Sequence, residues 1–153
     1  MSGLKSIVVG VVALAVAGTA LAGQRAAQAK GPEMTVYKSP TCGCCGKWID
    51  HIKAAGFTVK VVDLDDLTEI KQASAVPMKL RTCHTALVDN YVIEGHVPAD
   101  VVKKLLAEKP AAIGIAVPGM PIGSPGMEVG NQKDAYEVIL FEKGGKTSVY
   151  AKR

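Results

Sequence analysis

Residues 34–56, MTVYKSPTCGCCGKWIDHIKAAG, change from a strand pattern to a helix pattern at a cluster of cysteines. Residues 34–37 combine β-branched and aromatic side chains and are followed by a Ser-Pro pair, which predicts a short strand. From Cys44 onward the apolar residues follow the spacing of one helix face, and Gly56 is placed to end that helix. The sequence therefore predicts a strand-to-helix junction that carries three of the four cysteines, Cys42, Cys44 and Cys45.

The pattern after this junction alternates between strands and helices. Residues 58–63 have the period of a second strand, and residues 67–72 predict a short helix. Residues 85–88 and 91–94 flank Asp89-Asn90, two residues that tolerate the positive φ that a hairpin turn of the I′ type requires. A further helix is expected between two prolines, Pro98 and Pro110.

This order of elements predicts an α/β fold, a thioredoxin-like three-layer domain with a mixed sheet. The first two strands are expected to be parallel through a right-handed crossover, and the hairpin antiparallel. Residues 111–130 are rich in Gly and Pro and contain two Pro-Gly-Met turns, and their Ala, Ile and Val content predicts a long loop pinned against the domain. Residues 135–141 and 147–150 predict a final β-hairpin.

The first thirty residues differ in composition from the rest of the chain. Lys5 and the apolar run 7–22, which ends in an Ala-x-Ala site, are typical of a cleaved secretory signal. An uncleaved N-terminal anchor is the alternative, although the run is shorter than the roughly 20 residues of a membrane span. We therefore predict a signal at 1–22, a flexible leader at 23–33 and one domain at 34–153 that is exported and not embedded in a membrane.

Partners are not predicted from charge. The net charge of +4 is mild, and no basic run interleaves with aromatic residues, so the chain lacks the pattern of a nucleic-acid-binding protein.

Four cysteines in an exported chain admit several roles. Structural disulfides are the ordinary use in an oxidising compartment, here as Cys42–Cys83 or Cys45–Cys83. Cys42 and Cys45 also form a Cys-x-x-Cys motif where a helix begins, and the helix dipole favours thiolates there. Such thiolates are suited either to disulfide exchange or to binding a soft metal.

Cys44 favours the metal interpretation. Disulfide exchange uses one attacking and one resolving thiol, and a third thiol would scramble the disulfide, whereas a Cu(I) site gains from each additional thiolate. Consecutive helical residues point about 100° apart, so Cys44 points away from the Cys42–Cys45 face if the junction is already helical. An idle surface thiol, or a bond to another chain, therefore stays an alternative for Cys44.

Cys83-His84 is the second part of the candidate site. In thioredoxin-like folds the loop before the hairpin packs against the Cys-x-x-Cys turn and usually carries a cis-proline. This chain has Cys83 and His84 there instead, which supplies a sulfur and an imidazole from a separate segment.

The remaining soft or imidazole side chains are assigned as follows. Met120 and Met127, on the two Pro-Gly-Met turns, are candidate thioether ligands or a hydrophobic lid. The sequence assigns Met78, like Met34, to the core. His51 is assigned to a solvated helix face, and His96 to ordering the start of the last helix.

Four motifs carry a family resemblance: Pro-Thr-Cys-Gly-Cys-Cys at 40–45, Cys-His-Thr-Ala at 83–86, Glu-Gly-His-Val-Pro-Ala at 94–99, and the Pro-Gly-Met segments within 116–127. Together they resemble the CopG-type periplasmic copper-resistance proteins, long catalogued as a domain of unknown function. The resemblance implies an exported, thioredoxin-like protein that binds copper through its cysteine cluster and serves copper tolerance. By position it implies a ligand set of Cys42, Cys44, Cys45 and Cys83, with His84 next.

We therefore expect a periplasmic protein that holds Cu(I) in a cysteine-rich, multinuclear thiolate site, with periplasmic copper chaperones or exporters as partners. A redox role between Cu(I) and Cu(II), suggested for that family, leaves enzymatic activity open. One alternative is a thiol–disulfide oxidoreductase with Cys42 as nucleophile and Cys45 as resolving thiol, although the missing proline before Thr85 argues against it. The other is a structural zinc site on Cys42, Cys45, Cys83 and His84.

Overall fold

The predicted strand-to-helix junction opens the fold. The computed structural model describes residues 31–153, and within them β1 (Glu33–Lys38) leads through the cysteine turn into α1 (Gly43–Ala54). The helix ends just before Gly56, whose φ of 97° lies in the region that favours glycine. β2 (Thr58–Asp63) then pairs in parallel with β1, as predicted.

The N-terminal predictions fall mostly outside the described residues. The predicted signal at 1–22 lies entirely outside them, as does the predicted leader up to residue 30. β1 begins at Glu33, inside the segment predicted as a leader. Among residues 31–153, no helix is long and apolar enough to cross a membrane.

The central part of the chain completes the predicted α/β arrangement. A short helix, α2 (Thr68–Ala73), and a 3₁₀ turn (Met78–Leu80) precede the antiparallel hairpin of β3 (His84–Val88) and β4 (Tyr91–Glu94). β3 also pairs antiparallel with β1, so the sheet is mixed, and α3 (Ala99–Glu108) follows the hairpin. This order is consistent with a thioredoxin-like fold.

The hairpin turn differs from the predicted type. Asp89 has a φ of 49°, but Asn90 is not among the residues with positive φ. A turn of the I′ type requires positive φ at both central residues, so that assignment was wrong, although the hairpin itself is present.

The C-terminal part contains a strand that the sequence did not predict. β5 (Gly114–Ala116) lies inside the predicted loop 111–130 and pairs in parallel with β4. With only three residues it carries no period that distinguishes a strand from a loop. The predicted final hairpin, β6 (Glu137–Phe141) and β7 (Thr147–Lys152), adds to β5, so the sheet of the described residues has the order β2-β1-β3-β4-β5-β6-β7.

The sheet is the middle one of three layers. One face packs against α1 and α3 through a core of buried apolar side chains, among them Met34, Trp48, Ile52, Ile93, Leu105 and Ile115. The opposite face packs against the segment that follows α2, through Val76, Leu80, Val92, Ala116 and Phe141. Met78 is not part of either core. Its side chain is 79% exposed on the 3₁₀ turn, so its assignment to the core was wrong, whereas Met34 is fully buried.

Gly114 gives a direct test of the unpredicted strand. A Cβ at this position would lie 2.0 Å from the carbonyl oxygen of Val92 on β4, so we expect Gly114→Ala to separate the two strands. Overpacking of this kind typically costs about 1–3 kcal/mol of unfolding free energy. Urea unfolding followed by the fluorescence of Trp48, the sole tryptophan, measures it.

Gly46→Ala is the matched control for this substitution. A Cβ at Gly46, inside α1, has no heavy atom within 4 Å, and alanine favours a helix over glycine by roughly 1 kcal/mol. We expect this variant to be as stable as the parent protein or more so. Equal unfolding free energies for Gly114→Ala and the parent would contradict the tight β4–β5 contact.

Candidate metal centre

The cysteine turn closes on itself before the helix begins. Cys42 has an extended backbone, with φ −77° and ψ 91°, and is the N-cap residue of α1. Its amide donates a hydrogen bond to the carbonyl oxygen of Ser39, and its own carbonyl accepts one from the amide of Gly46. The turn brings the Cα atoms of Cys42 and Cys45 to 5.4 Å, and the two residues form a disulfide. The predicted pairings of Cys83 with Cys42 or Cys45 were therefore wrong.

Cys44 points toward this disulfide. Its Sγ lies 3.5 Å from Sγ of Cys42. A disulfide sulfur carries no hydrogen, so in this hydrogen bond the Cys44 thiol is the donor and the Cys42 sulfur the acceptor. Because Cys42 precedes the helix and is extended, the 100° offset between consecutive helical residues does not separate the two side chains. Cys44 is a free thiol that faces the cluster.

Cys83 completes a group of four sulfur atoms. The Sγ atoms of Cys42, Cys44, Cys45 and Cys83 all lie within 4.8 Å of one another. Zinc–sulfur bonds are about 2.3 Å long, so two sulfurs bound to one ion lie at most about 4.6 Å apart. Apart from the bonded Cys42–Cys45 pair, the 4.8 Å upper limit on the sulfur–sulfur distances is close to this value. Burial, together with the neighbouring Cys44, raises the pKa of the Cys83 thiol to about 12.

Two imidazoles share Cys83 with the sulfur group. Sγ of Cys83 lies 3.3 Å from Nδ1 of His84 and 3.1 Å from Nε2 of His96. Both histidines are fully buried, and their rings meet edge to face with centroids 5.1 Å apart. The His84 ring also lies against Trp48, at 4.3 Å between centroids. Cys83, His84 and His96 thus form a second potential ligand group that overlaps the first at Cys83.

A backbone carbonyl fixes the tautomer of His96. Nδ1 of His96 donates a hydrogen bond of 2.8 Å to the carbonyl oxygen of Pro125. In the neutral ring this leaves Nε2 unprotonated, with its lone pair directed at Cys83. Burial lowers the pKa of His96, which favours that neutral ring. Metal-binding histidines are typically oriented by this kind of hydrogen bond.

The role predicted for His96 was wrong, whereas His51 lies on an exposed helix face, as predicted. His51, exposed on α1, orders the start of the last helix, because its Nε2 accepts a 3.0 Å hydrogen bond from the amide of Ala99. His96 is buried beside Cys83 instead. A signal for this was present in the sequence. The hairpin pairs Thr85 with Glu94, and the Gly95 amide donates a hydrogen bond to the His84 carbonyl. Extending this register by one residue sets Cys83, just before β3, opposite His96, just after β4.

His84 contains an unpaired polar atom. Its Nε2 is buried and has no hydrogen-bond partner among residues 31–153. Buried nitrogen atoms are rarely left unpaired, and a ligand or ion is one ordinary reason for an exception. Burial holds the pKa of His84 well below its usual value, with smaller contributions from His96 and Lys71. The ring is therefore neutral and retains one lone pair, which fits the donor set of a metal site.

The loop with the two Pro-Gly-Met turns is pinned against the domain, as predicted, and its contact is with the cysteine turn. Gly126, with φ 87°, fits so closely that a Cβ would lie 2.7 Å from the carbonyl oxygen of Cys44 and 2.9 Å from the amide of Trp48. Met127 follows directly and is half-buried. Met120 lies on the other turn, 40% exposed and in the left-handed region at φ 48°. The two candidate thioethers therefore differ in their surroundings.

The comparisons with known proteins identify relatives that are named for copper resistance. A family model described as a protein of unknown function, DUF411, matches residues 80–127. Two solved structures, named copper resistance protein CopG form 2 and form 1, are each 41% identical to the chain. Each match covers 80% of this chain and 98% of the other, with TM-scores of 0.77 and 0.76. No curated protein matches the chain in sequence.

The buried histidines predict how stability depends on pH in the metal-free protein. Burial depresses the pKa of both His84 and His96 below 6.5, so the unfolded chain takes up protons that the folded protein does not. The contribution of the two neutral imidazoles to the unfolding free energy is therefore fully present above about pH 6.5. Below that pH the unfolding free energy falls, by up to about 1.4 kcal/mol per pH unit for each imidazole. Urea unfolding at pH 7.5 and 5.5 measures the difference.

His96→Gln is the companion variant, since it removes one of the two imidazoles. We expect it to have a smaller pH slope than the parent. An unfolding free energy that is the same at both pH values in the parent protein would contradict the burial of neutral imidazoles.

Proposed function

The chain belongs to the CopG family of copper resistance proteins, and on that premise we propose that it binds Cu(I) in the periplasm through its four cysteines. The family and the cysteine cluster together indicate a copper-related metal-binding role. The observation that carries the proposal is the set of four Sγ atoms within 4.8 Å of one another. Cu(I) favours soft sulfur ligands, so copper is the cargo that this donor set suits.

The number of donors supports a site for more than one ion. Four sulfurs and two imidazoles converge here, whereas one structural zinc ion takes four ligands. Cys83 belongs to both ligand groups, and it is the thiolate that we propose to bridge ions held by the sulfurs and ions held by His84 and His96. The site has more ligands than one zinc ion takes, and one thiolate can bridge two ions. A multinuclear Cu(I) site is therefore favoured over the Cys₃His zinc alternative.

The protein has two redox states, one with the Cys42–Cys45 disulfide and one in which both cysteines are thiols. Reduction by two electrons and two protons converts it to two thiols and makes all four sulfurs available. Only thiolates bind the metal, so copper displaces protons, including that of Cys83, whose pKa is about 12. A redox role belongs to the same proposal, because the dithiol can give one electron to each of two Cu(II) ions as it forms the disulfide and releases two protons.

The Gly/Pro/Met loop and the N-terminal segment supply the remaining parts of the proposal. The loop lies on the cysteine turn through Gly126, so Met127 is the better placed candidate thioether or lid, with exposed Met120 as a second. Export through a signal at 1–22, and copper chaperones or exporters as partners, fit a protein that handles copper outside the cytoplasm.

Cu(I) titration of the reduced, anaerobic protein against a competing Cu(I) chelator tests the proposal. We expect the protein to retain copper and Cys83→Ser to weaken affinity by more than the 10–100-fold that loss of a merely supporting residue costs. Low-energy charge-transfer absorption and luminescence, which zinc thiolates lack, would identify the Cu(I) thiolate. Free-thiol counting after anaerobic addition of Cu(II) measures the redox part.

Serine at an uninvolved position is the control for this titration. Thr35→Ser, on β1 and outside both ligand groups, is expected to leave the affinity unchanged. Failure of the parent protein to retain Cu(I), or equal affinity for the parent and Cys83→Ser, would rule out the proposed site.

One observation favours a second candidate function, that of a thiol–disulfide oxidoreductase. The Cys42–Cys45 disulfide lies at the N-terminus of α1, where a reactive thiolate is stabilised. Against it, Cys44 lies 3.5 Å from the Cys42 sulfur and can attack the same bond. We expect little insulin reduction by the parent protein in the presence of a copper chelator. Robust activity that is lost in Cys42→Ser would favour the oxidoreductase instead.

A further inference from the structure

A buried ion pair lies on the face of the sheet opposite α1 and α3. Glu94 on β4 is fully buried and Lys71 on α2 nearly so, with Nζ and Oε1 2.7 Å apart. Burying two charges is unfavourable unless further hydrogen bonds satisfy them, and such pairs are weak evidence for stability. The other hydrogen bonds of Lys71 and Glu94 therefore indicate the role of this ion pair.

Those hydrogen bonds go to both sides of the Cys83-His84 dipeptide. Oε1 of Glu94 accepts a 2.6 Å hydrogen bond from the amide of Thr82, the residue before Cys83. Oε2 accepts a 2.7 Å bond from the hydroxyl of Thr85, the residue after His84. Lys71 donates to the same hydroxyl oxygen at 3.0 Å. One carboxylate thus holds the chain immediately before and immediately after two proposed ligands.

We propose that the Lys71–Glu94 pair is a positioning device that fixes Cys83 and His84 for copper binding. The importance of the dipeptide for copper rests on the proposed function, while the fixing of its geometry does not. Cys83 precedes β3, which begins at His84, so the ladder of the sheet does not include it. Because Cys83 belongs to both ligand groups, a shift of this loop changes its distance to the other sulfurs and to His96 together.

The groups around Glu94 explain why a carboxylate occupies this position. An amide, a hydroxyl and an ammonium group all direct hydrogens at Glu94. An ionised carboxylate is an acceptor at every site, whereas a glutamine would present two hydrogens of its own toward these donors. The Lys71 ammonium then balances the buried negative charge.

Glu94→Gln is the obvious variant, but it leaves Lys71 buried without its counter-charge and is strongly destabilising. Thr85→Val is the sharper test, because it keeps the shape of the side chain and removes only the hydroxyl that links the carboxylate to the chain after His84. Thr85→Ser restores the hydroxyl. Thr35→Val makes the same change on the neighbouring strand β1, outside the network.

The first readout needs no copper. In a Cys44→Ser background with the Cys42–Cys45 disulfide intact, Cys83 is the sole free thiol, and its rate of alkylation by iodoacetamide reports how firmly the loop is held. We expect Thr85→Val to raise the rate about tenfold, the equivalent of one hydrogen bond to a charged group, at a temperature where the protein stays folded. Thr85→Ser and Thr35→Val should match the parent.

The second readout is the Cu(I) affinity of the reduced protein with all four cysteines. Thr85→Val should lower it about tenfold, while Thr85→Ser and Thr35→Val should leave it unchanged. An unchanged alkylation rate in Thr85→Val would overturn the proposal, and so would faster alkylation with an unchanged copper affinity. If alkylation accelerates but the parent retains no copper, the positioning of Cys83 stands and the proposed function fails.

Discussion

The antiparallel register of β3 and β4 is the constraint on which the candidate metal centre depends. Thr85 pairs with Glu94. In the same register the His84 carbonyl accepts a hydrogen bond from the Gly95 amide, and Cys83 lies beside His96. Successive residues of a strand point to opposite faces, so a slip of one residue would exchange the faces of every side chain. The pairing therefore brings Cys83 and His96 together just beyond the ends of the two strands and directs Glu94 and Thr85 toward Lys71.

Burial sets the chemistry of the site. Desolvation disfavours charged groups, so the Cys83 thiol keeps its proton and the two imidazoles stay neutral in the absence of metal. A cation that replaces the thiol protons supplies the charge that the surroundings lack, which is the physical basis for linking copper uptake to proton release. The Cys42–Cys45 disulfide removes two of the four thiolates from that balance, so the redox state of one bond governs how many sulfurs can act as ligands.

The sequence was sufficient for the parts of the fold that repeat a clear period and for the residues that carry unusual chemistry. The strand-to-helix junction and the hairpin follow from local pattern, whereas the proximity of Cys83 to the cysteine turn was predicted from the usual arrangement of thioredoxin-like folds. β5 is too short to show a period, and Met78 lies exposed on a 3₁₀ turn in a segment where an apolar residue suggests a core. The disulfide partner of Cys42 depends on the geometry of the turn, which spacing alone left open.

His96 is the most informative wrong assignment, because its motif at 94–99 contributed to the family resemblance while its place beside Cys83 follows from the register of the hairpin. Its presence changes the candidate site from a thiolate cluster with one imidazole to two ligand groups that share a sulfur. X-ray absorption at the copper K edge of the Cu(I)-loaded, reduced protein tests whether both ligand groups hold copper. We expect a first shell dominated by sulfur with an imidazole component, in which copper–copper scattering marks a multinuclear site. A first shell of nitrogen and oxygen alone would contradict this expectation.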